Sequence, residues 1–424
     1  MVSAEPGPDP RARTPALVLG GRTHTALGVI RALARVPRFA VGAGTSYVSY
    51  CRWHRRLPGQ CGDDPTPESL AGFLARLPVE RMVLIPCSDA WVAAVARLEP
   101  PLAARFPASI APLESLDICL DKGRFADTLA RLALPYPRTI CIGASDDVRT
   151  LWDSTLRDPF LKPRNSLGLQ ASYGVKAFRI TSRPEAMVRV REAQQAGVDL
   201  MLQEYVPGLA SAHYFVDGFV DRAGAVCAQF ARRRIRTHAA EPFGDSSCMA
   251  SIALEEAKAP LDILHRLLPV LRYRGVFNAQ FKYDDRDGLF KLLEVNPRAW
   301  GGVSLPVSCG VNLIEMSYWD ALGLPVEPVV EYPIGRYWIY ASRDRKVCRR
   351  LFREGRLTPG AWLRTRAGAV QAIFRWADPV PAVVDSFHRL LQALRRRLRV
   401  PRSPDQGVEG KATDQPGNGR PRCP

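Results

Sequence analysis

Between Gly275 and Asn296 apolar residues occupy alternate positions. Phe277, Ala279 and Phe281 alternate with Asn278, Gln280 and Lys282; after a break, Leu289, Leu293 and Val295 share a run with Glu294 and Asn296. A period of two predicts strands, and the Asp287-Gly288 pair between the runs predicts a hairpin with one apolar and one polar face. A three-residue loop of Arg286, Asp287 and Gly288 sets Gln280 opposite Glu294, about 5 Å apart on the polar face. A two-residue turn would pair Gln280 with Val295 instead, so the loop length decides whether polar groups gather.

Elsewhere the pattern alternates between short apolar runs and helical spacing. Ala16 to Gly20, Phe39 to Gly42 and Met82 to Pro86 read as buried parallel strands, with helices to Ala34 and over Pro67 to Leu77 between them. The turn at Gly20-Gly21 lacks G-x-G-x-x-G and no acidic residue closes the next strand, so dinucleotide binding is not indicated. Ser88 and Asp89 follow the third strand, where ligands of open α/β sheets bind. Asp89 fits equally well as the N-cap of a helix from Ala90 to Leu98.

Downstream, Phe160 to Pro163 is a strand end carrying Lys162, and Asn165 to Gly174 is a small loop whose backbone amides suit an anion. Leu200 to Val206 runs into a Pro207-Gly208 turn. Tyr214 to Val220 and Ala225 to Arg236 form a hairpin around Asp221 to Gly224. Arg232, Arg234 and Arg236 share one face of it, either offering cations to a cleft or charging an exposed edge. Phe243 to Ser247 reads as a loop, Leu261 to Arg272 as an amphipathic helix behind the first hairpin, and Arg336 to Ser342 as one more strand.

Composition sets limits. The 424 residues, 46% hydrophobic and 24% charged, describe a globular chain with room for two or three cores. No apolar run is long enough to span a membrane and the Pro-rich start has no signal-type core, so a cytoplasmic location is expected. Ten scattered cysteines without a C-x-x-C pair point to reduced thiols. The net charge of +17 is concentrated: residues 331–424 hold 20 Lys and Arg against 8 Asp and Glu, a net of +12. Such a surplus reads as an anionic partner or simply as arginine-rich composition. Within it, Val384, Phe387, Leu391, Leu394 and Leu398 recur at helical spacing over Pro381 to Val400. That helix is expected to pack on the body, with weak binding to an anionic lipid surface as the alternative.

The chemistry concentrates in the hairpin. Gln280, Glu294 and Asn296 offer oxygen alone, the donor set of a hard cation such as Mg²⁺, with Mn²⁺ as the chemical alternative. Arg298 follows at the same parity beyond Pro297, where its guanidinium can fork onto a phosphate oxygen.

These residues resemble the metal-binding hairpin of the ATP-grasp superfamily, where Gln or Glu on one strand is followed by E-[IV]-N-P-R on the next. Gln280, Glu294, Asn296, Pro297 and Arg298 match it throughout, and the continuation RAWGGVSLPVSCGVNL is similar to the carbamoyl-phosphate-synthase-like branch. The resemblance spans about Ser88 to Leu324. It implies an α/β architecture: a Rossmann-like pre-ATP-grasp domain (15–113) and a two-lobed ATP-grasp domain with antiparallel sheets (114–330). A basic helical extension (331–400) and disordered ends (1–14 and 401–424) complete the expected organisation.

The resemblance further implies a site. Lys122 and Lys162 would reach the nucleotide phosphates, with Ser172 and Gly174 in a covering loop; Glu204, Tyr205 and Val206 would hold the adenine edge. Gln280, Glu294 and Asn296 would hold the metal, with Arg298 and Lys162 catalytic. His213 stands where many relatives carry an acidic ribose ligand. The implied activity is ADP-forming, Mg-ATP-dependent ligation of a small-molecule carboxylate to an amine or thiol through an acyl phosphate. A small-molecule kinase and a binding protein acting through the basic tail are the rivals; no specific nucleic-acid partner is expected.

Overall fold

The computed structural model describes residues 14–34, 36–42, 44, 46–55, 57, 64–143, 156–164, 177–238 and 244–399. Ser172 and Gly174 lie outside the described residues.

Three sheets organise these residues. The first is parallel, in the order β2-β1-β3, from β1 (Ala16–Leu19), β2 (Arg38–Ala40) and β3 (Val83–Pro86). The central β1 and the neighbouring β3 are fully apolar and buried, as a sheet with helices on its faces requires. Beyond β3, Ser88 is the helix cap, its Oγ accepting from the Trp91 amide, while Asp89 is the first residue of the helix Asp89–Val95. Asp89 is thereby free of capping duty and lines the cleft described below.

The second sheet, β4-β7-β5-β6, is antiparallel and comprises β4 (Thr139–Ile142), β5 (Phe160–Pro163), β6 (Phe178–Arg179) and β7 (Leu200–Gln203). The helix Arg183–Gln195 covers it through Ala186, Val190 and Ala193, packed with Leu161, Leu200 and Leu202.

The third sheet has seven strands, β12-β11-β8-β9-β10-β13-β14. These are β8 (His213–Val220), β9 (Val226–His238), β10 (Asp245–Ser251), β11 (Gly275–Asp284), β12 (Leu289–Asn296), β13 (Tyr337–Ile339) and β14 (Val370–Gln371). One face carries Val216, Ala231, Phe277, Ala279, Phe281, Leu292 and Val295 against the helix Lys258–Val270, as the amphipathic pattern predicts. Burying each large apolar side chain here contributes roughly 1.5–3 kcal/mol, which anchors the sheet and leaves the opposite face for polar groups. Gly275 opens β11 at φ +82°, where a Cβ would stand 2.5 Å from the Ser109 carbonyl oxygen. Only glycine fits that close approach of two backbones.

Three expectations need correction. The Arg232, Arg234 and Arg236 row does not lie on an exposed edge: β9 is interior and all three side chains are buried. Past residue 330 the extension expected to be helical apart from one strand over Arg336 to Ser342 gives two strands to the large sheet, β13 within that range and β14 beyond it. In the helix Val380–Arg399, Val384 and Leu391 are half-buried, but Phe387 and Leu394 face outward. The apolar arc is wider than the surface available to cover it.

Candidate active site

The hairpin β11–β12 does set Gln280 opposite Glu294 and Asn278 opposite Asn296. It does so by another route than a three-residue loop. The turn has four residues, with Asp284 paired to Leu289, and that register holds as far as Phe281 opposite Leu292. Continued unbroken, it would place Leu293 opposite Gln280 and turn Glu294 toward the core beside Ala279. A bulge between Gln280 and Phe281 absorbs one residue and brings Glu294 to the cleft face. Leu293 and Glu294 both line the cleft as a result.

A row of polar groups crosses three strands on this face. Asn296 Nδ2 donates to Asn278 Oδ1 (3.2 Å) and to Glu294 Oε1 (3.1 Å), and Asn278 Nδ2 donates to Asp217 Oδ1 (2.6 Å). Asp217 is fully buried and takes Arg232 in a two-pronged pair, 2.6 Å from Nε and 3.1 Å from Nη2. Each orientation along the row is therefore set by a partner deeper in the sheet, which preorganises the outermost groups. Sequence reading did not find Asp217 or Asn278 as site supports, because only the β8–β11 register brings them together.

Arg298 is engaged on all sides. Its Nε donates to Asp89 Oδ1 (2.8 Å), Nη2 to Asn296 Oδ1 (3.1 Å) and Nη1 to the Ala299 carbonyl (3.1 Å). Rather than projecting alone from the strand mouth, the guanidinium joins the hairpin to the helix Asp89–Val95.

On the opposite wall, Asp121 is the cap that separates the helix Leu113–Leu120 from Lys122–Arg131, accepting from the amides of Gly123 and Arg124. It also accepts from Arg164 Nε at 2.9 Å, which ties the end of β5 to the start of that helix. Burial works against its ionisation, yet Arg164 and the two amides outweigh this and hold the carboxyl below its ordinary range. The clamp brings Lys122 and Lys162 into one cleft. Desolvation there, with Lys122 nearby, pushes the Lys162 ammonium down to about 7, while Glu294 pulls the other way.

Lys122, Lys162, Glu204, Tyr205, Val206, Gln280, Glu294, Asn296 and Arg298 all line this cleft, whose volume is about 450 Å³. The segment from Glu204 to Val206 follows the end of β7, and the Glu204 carboxylate forms an ion pair with Arg286 of the hairpin turn at 2.8 Å. The turn thus latches onto the chain leaving β7. Lys282, not singled out by sequence beyond its polar parity, lies over the Tyr205 ring at 4.6 Å. His213 also lines the cleft; burial, with Arg234 and Lys282 near, keeps its imidazole well below the usual range and so neutral.

A second chamber of about 360 Å³ adjoins the first. Its walls include Gln280, Glu294, Asn296, Arg298, Arg234 and Asp245, which also border the first. Its own residues include His24, Trp300, Gly301 and Trp338. Burial and then Arg343 push the His24 imidazole down to about 4, and its ring lies 4.9 Å from that of Tyr340. A Cβ at Gly301 would stand 2.5 Å from His24 Nε2, so a side chain there would displace the imidazole ring. The oxygen row is thus the partition between two spaces.

The donor chemistry fits a hard cation only in part. Among the described residues no group of three His, Cys, Asp or Glu comes together, and Gln280, Glu294 and Asn296 supply one carboxylate and two amide oxygens. A divalent ion held here would draw its remaining ligands from phosphate and water, which is how Mg²⁺ is commonly bound. Asn296 Oδ1 keeps a second lone pair beyond its bond from Arg298.

Known proteins are similar to this chain in sequence and in fold. The family described as ATP-grasp in the biosynthetic pathway with Ter operon matches residues 197–336. A D-aspartate ligase of Enterococcus faecium is 24% identical over 309 residues, covering 65% of this chain and 71% of that protein. Among solved structures, an L-amino acid ligase from Bacillus licheniformis superposes with a TM-score of 0.54 at 15% identity, over 74% of this chain and 75% of that one. A carboxyaminoimidazole ribonucleotide synthase from Aspergillus clavatus, complexed with ATP, superposes at 0.56 and 12% identity, over 77% and 81%. Residues 197–336 thus match an ATP-grasp family, and the chain as a whole shares the fold of the ligases and synthases it superposes on.

Proposed function

We propose that the protein is an ATP-dependent ligase that activates a small-molecule carboxylate as an acyl phosphate and joins it to an amine. The observation that carries this reading is the pair of adjoining chambers sharing the Gln280, Glu294, Asn296 and Arg298 wall. One side offers cations and a hinge to a nucleotide; the other has room for a second molecule. The ligase names and the ATP complex among the similar proteins support the same assignment.

In this reading Lys122 and Lys162 take the polyphosphate, and the strand exit from Glu204 to Val206 takes the base. Gln280, Glu294 and Asn296 would hold Mg²⁺, which when bound supplies positive charge to the β- and γ-phosphates. A carboxylate oxygen of the substrate attacks the γ-phosphorus as the bond to the β,γ-bridging oxygen breaks, and ADP departs. The amine nitrogen then attacks the acyl carbon, loses a proton, and inorganic phosphate leaves. The chain's part is placement and electrostatics: Arg298, fixed by Asp89, holds positive charge where the phosphoryl group passes.

The test is release of ADP and phosphate by the full chain with Mg-ATP across pooled amino acids and sugar acids, with and without amine acceptors. Ligation requires that product and phosphate appear only when carboxylate and amine are both present. A phosphorylated product without an amine would establish a kinase instead, and no ADP with any acid would sink both.

A further inference from the structure

The helix Val380–Arg399 has an inner and an outer face that are both apolar. Its inner side is held firmly. Pro381 is buried, the helix packs on the turn Tyr47–Tyr50, and Arg389 Nη2 donates to Tyr340 Oη at 2.9 Å. Just before it, Asp378 pairs with Arg31 at 2.9 Å in a buried bridge and accepts from the Arg52 amide. The helix therefore cannot roll to hide its other side.

That other side carries Val383, Phe387, Leu390 and Leu394, which are 66%, 57%, 56% and 45% exposed. Their spacing of four, three and four residues puts them in one stripe. Trp376, in the segment leading into the helix, is 88% exposed and stacks edge-on against Phe374 at 4.9 Å. Arg395, Arg396, Arg397 and Arg399 fall in the last turns. Over residues 341–399 there are 15 Lys and Arg against 4 Asp and Glu.

We propose that this outer face, with Trp376, docks on the surface of an anionic lipid bilayer. Apolar side chains at helical spacing on a helix whose last turns are rich in arginine suit a helix lying in the headgroup layer, where indole rings also favour the boundary. No helix among the described residues is long and apolar enough to cross a membrane, so docking is confined to the surface. A second copy of the chain is the competing occupant, since the stripe has coiled-coil spacing. Charge decides against it: pairing would press two strongly basic surfaces together, whereas anionic headgroups neutralise them.

The experiment is co-sedimentation of the full chain with vesicles of phosphatidylcholine alone or mixed equally with phosphatidylglycerol, at low and high salt, with size-exclusion light scattering alongside. Binding is expected only with the anionic vesicles, weakening with salt, and a blue shift of tryptophan fluorescence is expected to be lost in Trp376→Ala. Phe387→Glu/Leu390→Glu should lower partitioning about tenfold or more, given the area of apolar surface it removes from the boundary. Should that variant fail to fold, Arg395→Gln/Arg396→Gln/Arg397→Gln reads the electrostatic half and should also weaken binding while ADP formation persists. Equal binding to neutral and anionic vesicles, no binding to either, or variants that bind like the parent would overturn the proposal. So would a dimer of the parent that the Glu variant dissociates.

Discussion

Arg298 Nε stands 2.8 Å from Asp89 Oδ1, and this contact joins the end of the β11–β12 hairpin to the first helical residue after β3. The pair is about one-fifth exposed on each side, so its direct contribution to stability is modest. Its value lies in aim. Asp89→Asn removes the charge that fixes the guanidinium, and ADP formation should fall about 10- to 100-fold, while the melting temperature moves little. Loss of folding in circular dichroism, or unchanged turnover, would contradict this.

Glu294 supplies the sole carboxylate of the oxygen row on β12. Glu294→Ala should lower turnover by about three orders of magnitude, because in the proposed reading it removes a charged metal ligand beside the transferring phosphoryl group. Added Mg²⁺ should not restore it. Calorimetry should find the nucleotide still bound, through Lys122, Lys162 and the hinge, but with much weaker dependence on Mg²⁺.

In the proposed reading, Lys162 makes nucleotide affinity depend on pH. Its ammonium sits at about 7 in the free protein, and a bound polyphosphate raises it, so binding takes up a proton above neutrality. Affinity should be greatest below about pH 7 and decline as pH rises, and Lys162→Met should lose this slope. Stability responds in the opposite sense. The folded value lies below the ordinary 10.5, so the unfolded chain holds more protons between these limits. The penalty of the buried cation is full below about 7 and fades toward 10.5. Lys162→Met should therefore raise the melting temperature at neutral pH and less so at alkaline pH.

Arg236 and Asp344 form a buried two-pronged pair, 2.8 and 2.9 Å, in which Ser247 and Thr365 also take part. Asp344→Ala would leave a guanidinium without its counter-charge inside the protein, an effect of about 3–5 kcal/mol. Chemical denaturation should report a loss of that size. A change within experimental error would mean that water reaches the site.

Much of the candidate site was legible in the chain because its oxygen donors are local in sequence. Alternation alone marks Gln280, Glu294 and Asn296 as one polar face, and the run through Pro297 and Arg298 carries the superfamily resemblance. Lys122 and Lys162 could be named by that resemblance but not joined, since the Asp121–Arg164 clamp connects residues 43 positions apart. Asp217, Lys282 and the latch from Arg286 to Glu204 became visible only once strand neighbours were known.

What the sequence determined by itself was the kind of element at each place and the oxygen chemistry of one hairpin, because both follow from short-range periodicity. The tertiary structure decided which faces meet. It placed the arginines of β9 in the interior, since β8 and β10 pair along both sides of that strand. It brought Glu294 to the cleft through a bulge, because the four-residue turn alone would send that carboxylate to the core. It also left half of the last helix's apolar arc uncovered, because periodicity records that a side chain is apolar, while only packing determines whether anything lies against it.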